Sequence, residues 1–243
     1  MFGDALRNDG GQRQHFGDNM ILRCYNCDGA TIDLSEHIAV LEIEPPLIFR
    51  NVLADLLAAD FPAREVAIER DGKLLKATDV CCISDFMEFS PANRTVLGKL
   101  YKHLDETLRQ DPLVRLKIDN LIAALKSGLE EPLRDFCIDF SVNDTVDYKD
   151  LFGAFKLLPA CSSDSVGEKL EQFLSLCSEL SLFKVIALVQ PKAYMSESEI
   201  TRVYSRALSS RIGMIVVDST IREKVLPHEK KICIGRDYSD IMI

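Results

Sequence analysis

"HIAVLEIEPPLIFRNVLADLL", residues 37–57, decides the fold. Ile38 to Ile43 is an apolar run of buried-strand length. Pro45 or Pro46 opens a helix whose Ile48, Val52, Leu53, Leu56 and Leu57 line one face. A buried strand that turns straight into an amphipathic helix opens many α/β proteins. In those that hold nucleotides the turn is a glycine-rich phosphate cradle, closed by a lysine and a hydroxyl. Here the turn reads Glu42, Ile43, Glu44, Pro45, Pro46, which repels phosphate.

Downstream, Glu65 to Arg70 and Lys73 to Thr78 flank Asp71-Gly72, a two-residue hairpin signal, and Val80 to Ser84 is a further short buried strand. Between Ser90 and Leu182 the strand signal gives way to helices. Ser90-Pro91 starts one helix, with Leu97, Leu100, Tyr101, Leu104 and Leu108 at helical spacing. Asp111-Pro112 starts the next, with Val114, Ile118, Leu121, Ile122 and Leu125. A shorter helix follows a Thr145 cap, and Ser165 with Glu168 forms a capping box for a helix running to about Leu180. Strand signals then return at Phe183 to Val189 and at Ile212 to Val217, separated by a helix capped by Ser196 and Glu199. Strands joined through a crossover helix pair in parallel, so the two ends of the chain are expected to share one sheet. The expected fold is α/β: a discontinuous parallel-sheet domain (20–90 and 183–243) with an inserted helical subdomain (91–182).

Composition bounds the function. The 243 residues are 47% hydrophobic, enough for a substantial core, and their apolar runs fall short of the roughly 20 residues of a membrane helix. No secretory signal is legible, so no membrane partner and a cytoplasmic location are expected. Residues 1–19 are polar and glycine-rich, and read as a disordered leader or an over-extended start ahead of Met20. Cys24 and Cys27 form a CxxC, but no second pair follows. That incomplete spacing argues against a metal or redox role for the pair, and Cys81, Cys82, Cys137, Cys177 and Cys233 read as buried, reduced thiols. The scattered His15, His37, His103 and His228 suggest no catalytic constellation.

The order and texture of these segments resemble the CRISPR-associated spacer-acquisition protein family of type II-A systems. "IAVLEIEPPLIFRNVLADL" matches the family's first strand and helix, and "REVAIERDGKLLKATDVCCISDF" its hairpin and third strand. "TVLGKLYKHLDETLRQDPLVRLKIDNLIAAL" is similar to its helical hairpin, "FKVIALVQPKAYMSESEI" to its returning strand and capped helix, and "RDYSDIMI" to its tail. The resemblance implies a degenerate relative of nucleotide hydrolases that has lost the phosphate loop and has no catalytic residues. It further implies a homotetrameric ring that binds calcium near the junction of its subdomains and holds double-stranded DNA ends in its channel. The integrase pair and the effector nuclease are the implied protein partners. Two other readings stay open: a protein-binding adaptor without DNA affinity, and an ATPase, since Asp218 ends a buried strand as a magnesium-binding acid would. Against the ATPase, GxxxxGK[ST] is absent from the chain.

Charge distribution bears on DNA. The net charge is −9, yet Arg94 to Lys126 carries seven basic residues against four acidic, while Ser127 to Ser181 carries four against eleven. Because screening confines a surface charge to about 8 Å at physiological salt, DNA in a channel responds to the local lining. Lys99, Lys102, Arg109, Arg115 and Lys117 are the expected DNA contacts; the same residues would also suit the solvated face of a helix. The acid-rich stretch 130–150 offers seven carboxylates. Hard cations take six to eight oxygens, so Glu130, Asp135, Asp139 and Asp144 are the expected calcium ligands, with Glu88 at the junction and the Asn143 amide available. Asp147 and Asp150 are expected in the first turn of the helix that follows.

Overall fold

The computed structural model describes residues 19–57, 64–133, 135–138, 140, 146–160 and 165–242. In chain order they form β1 (Met20–Cys24), β2 (Thr31–Asp33), β3 (Ile38–Ile43), α1 (Pro46–Leu57), β4 (Val66–Arg70), β5 (Lys73–Leu74) and β6 (Val80–Ile83). Then come α2 (Arg94–Gln110), α3 (Pro112–Leu133), α4 (Tyr148–Ala154), α5 (Val166–Glu179), β7 (Val185–Val189), α6 (Glu197–Ser209), β8 (Gly213–Asp218), β9 (Glu229–Ile234) and β10 (Asp240–Met242).

Strand β3 is buried at all six positions, as a strand covered on both faces must be. It lies inside a six-stranded sheet of order β10-β9-β3-β8-β7-β6. Strands β9, β3, β8, β7 and β6 run parallel, with Val40 opposite Val216 on one side and Lys231 on the other; β10 closes the edge antiparallel to β9. Strands from both ends of the chain therefore share the sheet, and α2 to α5 lie in sequence between β6 and β7.

The period of two along each strand sends alternate side chains to two cores. Ile38, Val40, Ile186, Leu188, Met214 and Val216 pack with Leu170, Phe173 and Leu174 of α5 and Ile200, Val203 and Tyr204 of α6. Ala39, Leu41, Val185, Ala187, Ile215 and Val217 face the other way, onto Ile48, Val52 and Leu56 of α1 and onto a second, antiparallel sheet of order β2-β1-β4-β5. Of that second sheet the sequence reveals only the β4–β5 hairpin. Asp71 (φ +52°) and Gly72 (φ +74°) turn β4 into β5 as expected, and their left-handed pair matches strand twist. The second hairpin strand ends at Leu74, however, because a 3₁₀ turn over Ala77–Asp79 intervenes before β6.

Helix starts follow short polar side chains. Asn93, not Ser90, caps α2, its Oδ1 accepting from the Val96 amide at 3.0 Å, while Ser90 Oγ holds a turn through the Ala92 amide. Asp111 accepts from the Leu113 and Val114 amides ahead of α3. Asp147 caps α4 through the Lys149 amide; the expected Thr145 cap lies outside the described residues. Ser165 caps α5, and its hydroxyl donates to Glu199 Oε1 at 2.6 Å. Glu199 also closes the Ser196 capping box of α6. Gly167 is needed there: a Cβ on it would lie 2.9 Å from Glu199 Cβ. Burial falls short of expectation in several places: Val80, Cys81 and Cys82 of β6, at the edge of the sheet, are only half-buried. Leu57, at the last turn of α1, is exposed, and so is Cys137, beyond the end of α3. Among the described residues no helix is long and apolar enough to cross a membrane.

Candidate nucleic-acid interface

Helices α2 and α3 form a hairpin whose second helix, 22 residues and about 33 Å long, contains no buried residue. Leu121, Leu125 and Leu129 recur every four residues along one face and remain exposed, as do Leu113 and Leu116. Helix α4 braces the hairpin. The Phe152 and Tyr101 rings lie 5.6 Å apart, Tyr101 donates to the Leu157 carbonyl, and the Tyr148 hydroxyl donates to Asp119 Oδ1 at 2.6 Å. That last bond, with partial burial, raises the Tyr148 phenol above its ordinary value.

Between these three helices lies a groove of about 490 Å³, lined by Arg109, Arg115, Asp119, Ile122, Ala123, Lys126, Val146, Asp147 and Tyr148. Two of the five expected DNA contacts, Arg109 and Arg115, share it. Each is held by a carboxylate one turn on or back: Arg109 to Asp105 at 3.0 Å, Arg115 to Asp119 at 3.6 Å. Lys126, absent from the expected set, adds a third cation from the far end of α3. Lys102 is exposed and only loosely paired with Glu106 at 3.9 Å; Lys117 is exposed, with no ion pair among the described residues. Lys99 departs from expectation. Its ammonium donates to the Leu182 carbonyl and stands 4.4 Å above the centre of the Phe183 ring. Half-buried, it ties α2 to the chain entering β7.

Of the expected calcium ligands, Glu88, Glu130 and Asp135 are described, and Asp139, Asp144 and the Asn143 amide lie outside the described residues. Among the described residues no three carboxylate, imidazole or thiol side chains converge on a point that would hold a metal. Glu88, Glu130 and Asp135 alone do not assemble a calcium site. Asp147 and Asp150 sit at the cap and first turn of α4, as expected.

The acidic turn after β3 has a different role from the one its sequence suggests. Glu42 does not face a crevice; it is wholly buried. Its Oε1 accepts from Lys231 Nζ at 2.9 Å and pairs with Lys192 at 3.4 Å, and its Oε2 accepts from the Arg222 amide at 3.0 Å. Burial pushes the Glu42 carboxyl up, but the Arg222 amide, Lys231 and Lys192 outweigh it and hold the group below its ordinary range. Lys231, also wholly buried, spends its other two protons on the Arg222 and Lys224 carbonyls at 2.9 and 2.7 Å. Glu229 completes the set, receiving Lys192 at 3.0 Å, the Tyr204 hydroxyl at 3.0 Å and the Leu226 amide at 2.8 Å.

Two carboxylates and two ammoniums thus neutralise one another beside the carboxyl end of the sheet, under the 219–228 connection. Beside them Asp218, 3% exposed, has one oxygen without a hydrogen-bond partner, and burial pushes its carboxyl up. The cleft outside, lined by Lys192, Arg222 and Lys224 among others, measures about 60 Å³, against roughly 300 Å³ or more for a small-molecule site. Glu44, the other acid of the turn, is half-buried and lies 3.8 Å from Arg236.

The architecture defines a mixed α/β protein built on a parallel sheet, with a helical hairpin between its sheet-forming segments. Residues 62–238 match the family model described as CRISPR-associated protein (Cas_Csn2), and the chain belongs to that family. A curated relative, the CRISPR-associated protein Csn2 of Enterococcus faecalis, is 20% identical over 149 residues, 61% of this chain and 68% of the relative. The crystal structure of Stu0660 of Streptococcus thermophilus aligns over 88% of this chain and 75% of its own, at 12% identity and a TM-score of 0.49. MJ1267, an ATP-binding cassette of an ABC transporter, aligns over 85% and 83% at 11% identity and a TM-score of 0.40. Family membership assigns the chain a CRISPR-associated role in adaptation.

Proposed function

We propose that the protein is a non-catalytic, sequence-independent binder of double-stranded DNA ends, acting as a calcium-dependent homotetrameric ring in CRISPR spacer acquisition beside the integrase pair and the effector nuclease. The observation that carries this reading is the basic groove of the helical hairpin. Arg109, Arg115 and Lys126 gather three cations along it on a protein whose total charge is −9, with Asp105 and Asp119 holding the two guanidiniums in place. Exposed Lys102 and Lys117 on the same hairpin extend the set; phosphate contacts of this kind carry affinity without sequence preference.

The unburied leucine face of α3 supports assembly. Isolated monomers seldom keep so continuous an apolar row in water, and a repeated subunit would cover it while multiplying the basic lining. The reading as a non-enzyme draws on the missing phosphate loop and on the self-neutralised charges around Glu42. Calcium binding is proposed at the acid-rich stretch around Glu130 and Asp135. A protein-binding adaptor remains the second reading, favoured by Phe136, Ile138 and Phe140, which stand exposed together beyond α3.

Gel mobility of linear and closed circular DNA, each with calcium and with chelator, tests the proposal. Retardation of linear DNA alone, in calcium alone, is the expected result. Equal retardation of circles would remove end binding, and retardation indifferent to chelator would remove the calcium requirement. No retardation at any salt would leave the adaptor reading. Sedimentation in calcium at micromolar protein should give a tetramer; a monomer would defeat the ring.

A further inference from the structure

We infer that Cys24 and Cys27 are a reversible dithiol–disulfide site, oxidised by a small hydroperoxide and restored by thiol exchange. The CxxC falls on the last residue of β1 and the turn into β2. Its sulfurs lie 3.3 Å apart, and both residues are buried, 2% and 4% exposed. A disulfide needs about 2.05 Å between sulfurs, so a rotation of one or both χ1 angles with a small turn adjustment closes the bond.

The turn is held for this approach from several sides. The Cys24 amide donates to the Ala30 carbonyl at 2.8 Å, and the Ala30 amide to the Cys27 carbonyl at 2.7 Å. Asp28 (φ +48°) and Gly29 (φ +71°) supply the left-handed residues that fold the chain back. Glu65 fastens the turn to the rest of the protein: its carbonyl receives the Tyr25 amide, and its carboxylate receives the Asn26 and Asn51 side-chain amides.

Among the described residues the other thiols lack this arrangement. Burial pushes Cys81 up to about 11, Cys177 to about 12 and Cys233 to about 11, whereas the hydrogen bond with Cys27 holds the Cys24 thiol below its ordinary value of 9.0. The pairing at 3.3 Å, with a second sulfur in place to resolve the first, is what sets this site apart.

The chemistry closes without further reactants. The Cys24 thiolate attacks one peroxide oxygen; an S–O bond forms, the O–O bond breaks, and the departing hydroxide takes a proton as water. Cys27 sulfur then displaces the second oxygen from Cys24. The S–S bond forms, and that oxygen leaves as a second water with the Cys27 proton. Each sulfur gives up one electron and the peroxide receives two. The bond would clamp the β1–β2 turn against Glu65 and the start of β4.

The test uses the full chain. Trypsin cuts at Arg23 and Arg50 and has no site between them, so both thiols fall in one peptide, residues 24–50. After treatment with hydrogen peroxide, removal of the oxidant, unfolding and alkylation with iodoacetamide, this peptide should lack two hydrogens and carry no alkyl group. Treatment with dithiothreitol before alkylation should restore two alkylatable thiols. The peptide holding Cys81 and Cys82 should remain doubly alkylated at a dose that converts most of 24–50. A 24–50 peptide that stays doubly alkylated at that dose, or gains sulfinic oxygens without losing two hydrogens, overturns the inference. In Cys27→Ser, Cys24 should be trapped by dimedone as a sulfenic acid; the absence of that adduct, with wild-type disulfide absent too, is a second refutation.

Discussion

Replacing Lys231 with methionine tests whether the strand-end charges are a closed, self-neutralised set. In the native protein two buried carboxylates, Glu42 and Glu229, face two ammoniums, Lys231 and Lys192. The substitution leaves both carboxylates to Lys192 and strips a donor from the Arg222 and Lys224 carbonyls. Breaking a buried pair by removing one partner costs about 3–5 kcal/mol, and part of the lost carbonyl bonding lies within that figure, so we expect about 4 kcal/mol. Urea unfolding at fixed protein concentration would read this as a midpoint lowered by about 1.3–2 M, with a slope of about 2–3 kcal/mol per molar.

The pH dependence supplies a second reading of the same variant. Glu42 sits below its ordinary value in the native protein, so its contribution is present above the unfolded value and is lost as pH falls through the folded one. Without Lys231, burial dominates and the folded value rises above the unfolded one; the variant should therefore gain stability as Glu42 protonates. The gap between the two proteins should narrow on acidification. Adding Glu42→Gln should recover part of the loss, making the double variant less destabilised than the sum of the singles. A Lys231→Met protein within about 1 kcal/mol of the parent, or a gap that stays constant from neutral pH to about pH 4, would refute the reasoning.

Asp218→Asn should stabilise the fold by about 1 kcal/mol above neutral pH and little near pH 4. Its raised carboxyl favours folding only below the unfolded value, and that contribution is lost as pH rises through the folded one; melting temperatures at the two pH values check it. Glu199→Gln should cost about 1 kcal/mol by weakening the α6 cap and its tie to Ser165. Glu199 is held at about 2, so its share of stability should fade between pH 4.5 and 2, a loss that acid titration followed by circular dichroism should find reduced in the glutamine variant. Changing Arg109, Arg115 and Lys126 together to glutamine should weaken DNA binding alike for all sequences. The slope of log affinity against log salt should flatten by roughly 0.9 for each phosphate no longer neutralised, and an unchanged slope in fluorescence anisotropy would remove the groove from the interface.

What the sequence made legible follows from how buried each element is. β3, β7 and β8 are continuous apolar runs because both faces are covered, so they announce themselves. β9 is just as buried, but its "EKKICI" contains Glu229 and Lys231, and a lysine with no exposure at all reads as surface until its partners are known. β1 escapes notice because its burial alternates, with Arg23 turned outward to pair with Glu69, and β2 because it has only three residues. The caps are legible to within a few residues, since Asn, Ser and Asp compete for the same backbone donors. Lys99 shows the limit for the interface. Its spacing matches the exposed basic residues of α2, and only the fold brings the Phe183 ring and the Leu182 carbonyl, over 80 positions away, beneath it. Lys126 and Tyr148 join the groove for the same reason, through the return of α3 and α4 along α2.

Glu199 has a consequence for how such a chain can vary. One carboxylate terminates two helices, fixing where the long excursion after β6 re-enters the body of the molecule. Lys99 fastens that excursion near its departure, on the segment entering β7. With both stems pinned to the body by side-chain bonds, the stretch between them is free to lengthen, shorten or change its surface while the sheet keeps its register. The fold should tolerate substitutions in α3 as it would a graft, whatever they do to the groove, and should not tolerate those at Gly167, where any side chain meets Glu199.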